Sequence, residues 1–308
     1  MRAHRPDPAV SRPFSWSPTL VRDEMKYWLL RPDSSLCQQV KSYFVVDVEA
    51  RRQSKRELHL PDGYAELVFV LRNGYERAPI GNPGAAVPMK RSYLIGGRSH
   101  TIVTSDLGDV RVVGVKMEPR LLRELLAKPL SEFRDNTVEL RNLKDTRLLS
   151  LEERIAECAS VAQIATALNE FFLGRRCAAS QPDGLVEHFL SRIRAEKGGT
   201  PITQAARESG VDPRTLERRF TSWVGMSPKA YARVVRFKHA YHAFWASRSS
   251  AGASAELHSY LDGYYDQSHF IKEFRYFTGS SPAGVLTEHR PASIDVTNHL
   301  LTGDLAAA

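Results

Sequence analysis

One nine-residue phrase occurs twice in the C-terminal third of the chain, as FTSWVGMSP from Phe220 and as FRYFTGSSP from Phe274. Shifted by 54 positions, Phe, Gly, Ser and Pro fall on Phe, Gly, Ser and Pro. The same shift carries Leu216, Phe220 and Trp223 onto Phe270, Phe274 and Phe277. Each trio follows i, i+4, i+7, which is one apolar stripe of a helix. A helical unit built twice confines this part of the chain to an all-α arrangement in which two copies pack in tandem.

A turn precedes each stripe. Ala206 stands four residues before Gly210, and Ser259 four before Gly263. A small residue lets two helices approach, and the glycine supplies the left-handed conformation that ends the first of them. Asp212 followed by Pro213 caps and starts the next helix, and Asp266 is placed to cap its counterpart. Helix, glycine turn and capped second helix make a helix-turn-helix. In such units the second helix enters the major groove of DNA and touches base edges with its N-terminal residues.

With Phe270, Phe274 and Phe277 turned inward, Gln267, Ser268, Lys272 and Arg275 lie on or beside the opposite face. Gln pairs bidentately with adenine, Ser bonds any base, and Lys reaches guanine or phosphate. The matching face of the first unit carries Arg214, Glu217, Arg218 and Thr221, where Arg suits guanine and Glu accepts from cytosine. A polar helix face is ordinarily just solvated. Two tandem copies with their caps and turns in register favour base reading instead.

Between the units, residues 228–247 form a continuous helical pattern with Val234, Phe237, Tyr241 and Phe244 on one stripe. Twenty residues would span roughly 30 Å, close to the spacing of successive major grooves on one side of DNA, about 34 Å. Lys229, Arg233, Arg236 and Lys238, on or beside this helix, are candidates for phosphates, each with an ordinary solvated role as the alternative.

Upstream the texture differs. Between residues 40 and 117 the runs SYFVVDVEA, AELVFVL, RSYLIGG and VRVVGVKM are separated by turn signals such as LPDG and GNPG. They predict an antiparallel β-sandwich or barrel. EPRLLRELLA and SLEERIAECASVAQIATALNEFFLGR then turn helical. The expected fold class is therefore α+β and multidomain. A β domain with trailing helices covers 1–177, a linker 178–183, an all-α domain with two helix-turn-helix units 184–290, and a disordered tail 291–308.

The chain of 308 residues carries 43 Lys and Arg against 35 Asp and Glu, a net charge of +8 that is compatible with a polyanionic partner. No apolar run is long enough for a membrane span and no secretory signal is evident, so a cytoplasmic location, at the nucleoid, is expected. Cys37, Cys158 and Cys177 lie far apart with no CxxC pair, so neither a disulfide framework nor a cysteine zinc site is expected. Upstream of residue 184 the histidines are His4, His59 and His100, without a closely spaced pair, and Glu57 near His59 reads as a surface pair. No nucleophile elbow or phosphate-binding loop is present. A metal-dependent enzyme of the cupin type is the main rival reading, and a protein-interaction module without DNA affinity the next. No metal, cofactor or catalytic residue is expected.

The segment 184–288 resembles the DNA-binding domain of the AraC/XylS family of transcription regulators, and GYYDQSHFIKEFRYFTGSSP is very similar to that family's C-terminal signature. The resemblance implies seven helices, two of them base-reading. It places base contacts on Arg214, Glu217 and Arg218 in the first unit and on Gln267, Ser268 and Lys272 in the second. Thr221 and Arg275 are left to phosphates. His258 and the stretch ASRSSAGASAE depart from the family pattern. PDGYAELVF at 61–69, followed by LIGGRS, resembles more loosely the cupin-like sensor domain of one branch of the family. The implied partners are double-stranded DNA, a small-molecule or protein effector, RNA polymerase and a second copy of the chain, and the effector's site is not implied. Tyr43, Phe44, Tyr64, Phe69 and Tyr93 are candidates to line a pocket, with plain core as the alternative.

Overall fold

The long apolar runs of the N-terminal half carry hydrophobic side chains at odd and even positions alike, the pattern of strands covered on both faces. The computed structural model describes residues 20–22, 25–49, 56–106, 108–175, 183–249 and 261–287. The expected linker positions 178–182, Ser259, His258, Cys177, His4 and the tail 291–308 lie outside them.

Among the described residues one antiparallel sheet has seven strands in the order β1 (Leu20–Arg22), β2 (Met25–Leu30), β3 (Val40–Val48), β10 (Val110–Met117), β5 (Ala65–Arg72), β8 (Tyr93–Ile95) and β11 (Thr137–Glu139). A second has four, in the order β4 (Arg56–His59), β9 (Ile102–Asp106), β6 (Tyr75–Pro79) and β7 (Val87–Met89). The alternation of each central strand sorts its side chains. Tyr43 and Val45, Leu67 and Phe69, and Val113 and Val115 enter the main core. Phe44, Val46, Val68 and Val112 point the other way, toward the smaller sheet. Gly114 is where that layer is tightest: a Cβ there would lie 1.9 Å from the Phe44 ring.

Helices cover the outer face of the large sheet: α1 (Pro119–Leu126), α2 (Leu140–Leu143), α3 (Thr146–Glu157) and α4 (Val161–Arg175). The helical pattern expected across 150–175 is thus two helices. The break falls at a capping box: the Gln163 side chain accepts from the Ala159 N–H at 2.8 Å, while the Ser160 hydroxyl accepts from the Gln163 N–H at 3.3 Å.

The C-terminal half holds six described helices: α5 (Gly184–Ala195), α6 (Ile202–Glu208), α7 (Pro213–Val224), α8 (Pro228–Ser249), α9 (Gln267–Thr278) and α10 (Pro282–Thr287). α8 serves two cores. Tyr231 and Val235 pack with α5, α6 and α7, whereas Phe237, Tyr241 and Phe244 pack with Phe270, Phe274 and Phe277 of α9.

The second of these cores is completed from the β-rich half by Leu58 and Leu60. Elsewhere along the same seam Arg194 of α5 grips Glu118 with two hydrogen bonds of 3.1 and 2.7 Å. Arg123 of α1 donates to the Ser222 carbonyl at 3.1 Å and lies 4.5 Å from the centre of the Trp223 ring. No local pattern in the sequence marks this seam. Trp223 is only partly buried, with Arg123 over its ring, and Val224, which continues the four-residue steps of Leu216 and Phe220, takes the deep position expected of Trp223.

Candidate nucleic-acid interface and interior cavity

Both turns are built as their sequences dictate. Gly210 has φ +66° and Gly263 φ +84°, a region costly for any residue with a Cβ. Val211 N–H reaches the Ala206 carbonyl at 2.9 Å and closes the end of α6. Asp212 accepts from Thr215 N–H at 2.9 Å, and Asp266 from His269 N–H at 2.7 Å, so each second helix starts on an aspartate cap. α7 and α9 both end on a left-handed glycine, Gly225 and Gly279. One difference stands out. The capping aspartates are 54 residues apart but the turn glycines only 53, so the second turn is a residue longer. Tyr264 packs on Phe270, and Tyr265, 94 % exposed, is the residue turned outward. The sequence reading missed Tyr265, although GYYD against GVD carries the signal.

On α7 the buried stripe is Leu216, Phe220 and Val224, and Arg214, Glu217 and Arg218 are exposed with Thr221 half-buried beside them. On α9 the buried side is Phe270, Glu273, Phe274 and Phe277, and Gln267, Ser268, Lys272 and Arg275 are exposed. The 54-residue shift carries Arg214, Arg218 and Thr221 onto Ser268, Lys272 and Arg275. Within the described residues none of these side chains is engaged in an ion pair or side-chain hydrogen bond. Neighbouring charges are engaged. Arg219 holds Asp183 through bonds of 2.8 and 2.6 Å, and buried Glu273 is held by Arg233 at 2.6 Å and Arg236 at 3.4 Å.

That last pairing corrects the expectation for the linking helix. Arg233 also lies over Tyr276 at 4.2 Å, and Arg236 over Tyr264 at 5.1 Å, so both arginines pin α9 to α8 and are not spare for phosphates. Lys238 sits 5.3 Å from the centre of the Tyr64 ring, facing the β-rich half.

A family model described as a helix-turn-helix domain matches residues 205–288, the span of α6 to α10. This C-terminal region is thus similar to AraC-type helix-turn-helix domains. Upstream of it, a domain of unknown function (DUF6597) matches residues 29–139. ToxT from Vibrio cholerae, in a structure at 1.65 Å, is 10 % identical, with a TM-score of 0.41 over 76 % of this chain and 97 % of that one. Wild-type ToxT with an unsaturated fatty acid bound is 10 % identical, with a TM-score of 0.40 over 77 % and 96 %. KdgF from a Halomonas species is 9 % identical, with a TM-score of 0.25 over 33 % of this chain and 86 % of its own. No curated protein matches the chain.

The β-rich half holds a partly open cavity of ≈ 90 Å³ between its two sheets. Its wall is apolar along Met25, Val46, Val68 and Val112, and polar along Glu66, Arg98 and Lys116. Phe44 and Tyr93 line it, whereas Tyr43 and Phe69 belong to the core and Tyr64 to the seam. Glu57 and His59, expected as a surface pair, line the cavity too, because both alternate inward from β4 while Leu58 faces the helices. His59 Nε2 is 2.9 Å from the Thr104 hydroxyl. Among the described residues no three His, Cys, Asp or Glu side chains are grouped to hold a metal ion, and no helix is long and apolar enough to cross a membrane.

Lys116 is 2 % exposed and bonds Asp62 at 2.5 Å. Burial pushes the Asp62 carboxyl up, but Lys116, Lys238 and Arg98 prevail and bring it down to about 2. The segment 60–64 thus faces both ways. Leu60 joins the core of α8 and α9, a Cβ on Gly63 would lie 2.9 Å from the Tyr231 ring, and Tyr64 lies 5.7 Å from the Arg194 guanidinium.

Proposed function

We propose that the chain is a sequence-specific transcription regulator that reads double-stranded DNA with α7 and α9. Arg214, Glu217 and Arg218 take bases in one major groove, Gln267, Ser268 and Lys272 in the next, and Thr221 and Arg275 take phosphates. The observation that carries this reading is the pair of outward faces related by the 54-residue shift. Their side chains are unengaged among the described residues, while the charges beside them are paired. α8, with 22 residues, is about 33 Å long, which suits two successive grooves. Tyr265 adds an exposed ring and hydroxyl at the start of α9.

Regulation runs from the β-rich half, with 1–177 as the sensing unit, 178–183 as linker and 184–290 as the reader. An effector in the interior cavity acts on Lys116, and through Asp62 on the segment 60–64 that touches α8. RNA polymerase and a second copy of the chain are its expected protein partners, and the cytoplasm, at the nucleoid, its location. The test is selection of bound sites from random double-stranded DNA with the full-length protein. Two sequence blocks about one helical turn apart are expected. A single block would remove α9 from the reading, and no enrichment in either the presence or the absence of cell extract would overturn it.

A further inference from the structure

The outer face of the smaller sheet is ruled in cross-strand rows, and two of them differ in character. Residues directly opposite each other on neighbouring strands point to one side. Arg56, Ser105 and Glu76 stand in register across β4, β9 and β6, and so do Leu58, Val103 and Ala78 in the next row on that face. All six line a groove of ≈ 480 Å³ whose other lip is the end of α9, at Gly279 and Ser280. Glu57, Ile102 and Tyr75 of the same strands line the interior cavity instead, so the two spaces lie on opposite faces of one sheet.

Arg56 and Glu76 are the charged side chains of the groove's lining. Both are exposed, and among the described residues neither makes an ion pair or a side-chain hydrogen bond. Two strand spacings, about 10 Å, separate their Cα atoms, and Ser105 stands between them. The neighbouring row is apolar and better covered: Leu58 and Ala78 are each 9 % exposed. Ile80 continues it to Gly279, where a Cβ would lie 3.0 Å from the Ile80 side chain. The groove thus presents one positive and one negative head, with an apolar floor that leads away from both to the end of α9.

We infer that this groove is a second ligand site and that it takes a free aliphatic α-amino acid. Arg56 holds the carboxylate, Glu76 holds the ammonium, and the aliphatic side chain lies on Leu58, Val103 and Ala78. An α-amino acid carries both charges on one carbon, which suits two opposite heads flanking a small serine. A simple anion would face Glu76 and a simple cation Arg56, each repelled about as strongly as it is attracted. A sugar would set hydroxyls against the apolar row and leave both charges without a counter-ion. The groove opens to solvent, so charge and not volume selects the occupant. Because Gly279 and Ser280 form one lip, the bound side chain bears on the seating of α9 at the end opposite Gln267 and Ser268.

Calorimetric titration of the full-length protein with leucine, N-acetyl-leucine, leucinamide and alanine tests the site. DNA retention in the same samples tests the coupling, which alone rests on α9 as a reader of bases. Leucine should saturate and bind about 5-fold or more tighter than N-acetyl-leucine, which lacks the ammonium, and leucinamide, which lacks the carboxylate. It should bind about 10-fold tighter than alanine, which lacks most of the apolar body. Glu76→Gln should bring leucine to the level of N-acetyl-leucine, and Arg56→Met to that of leucinamide. Both positions are exposed, so both variants should keep the wild-type far-ultraviolet dichroism. No saturation by leucine, equal binding of leucine and any of the three analogues, or leucine binding unchanged in both variants would overturn the site and leave Arg56 and Glu76 as solvated charges. Leucine binding that needs both residues but leaves DNA retention unchanged would overturn the coupling and leave the site standing. Absence of DNA retention under all conditions would count against base reading and not against the site.

Discussion

Arg218 and Lys272 occupy equivalent places on two helices, each six residues after an aspartate cap, and their heads have no partner among the described residues. Arg218→Ala should therefore cost about 1–3 kcal/mol at a cognate site and relax the preference at one base pair. Gel retardation on single-base variants of the selected site would show it. Arg219→Ala, one residue along, removes a side chain already committed to Asp183 and should leave base preference unchanged. If both substitutions behave alike, the face has been drawn wrongly. The contrast also shows where residue-level reading fails. The apolar stripe of a helix is legible because its period is written in the sequence. Whether a basic residue on the other side is spare depends on what another element brings to it. Nothing in the pattern of 228–247 reveals that Arg233 and Arg236 will meet Glu273 from a helix some forty residues on.

At the scale of elements, α9 is held by more than its phenylalanines. Glu273, 5 % exposed, joins α9 to α8 through two arginines. Glu273→Ala should destabilise the second unit by about 1–3 kcal/mol while leaving the first intact, since Arg233 can turn to solvent. Hydrogen exchange would then quicken in α9 and not in α7; uniform quickening would mean that the two units open together. The strands were legible for the converse reason. With both faces buried, the central runs of β3, β5 and β10 are almost wholly apolar, and turn residues mark their ends. The division between α3 and α4 was less plain. Its capping box interrupts no apolar period, and neither Gly nor Pro marks the place, so a sound local signal was hidden inside a convincing longer one.

At the scale of the whole molecule, the seam between halves is where a one-dimensional pattern has least to say, because every contact in it joins residues far apart in the chain. Its ionic centre makes a pH prediction. Asp62 is held at about 2, below the ordinary carboxylate value near 4, so its contribution to stability is present above that value and lost as pH falls through 2. Urea unfolding of wild type and Asp62→Asn should differ most near neutrality and converge on acidification. A gap that stays constant from pH 7 to pH 2 would show that the charge is not what matters. The seam has a further consequence, in time. Leu58 and Leu60 belong to a core whose other members include Phe237 and Phe277, so the β-rich half leaves the ribosome with that patch uncovered. At about 5–20 residues per second, roughly 10–40 seconds pass before the chain that covers it is made. During that interval the nascent sheet is open to chaperones and to its own kind, which makes slow translation between the halves a hazard for yield rather than a help to folding.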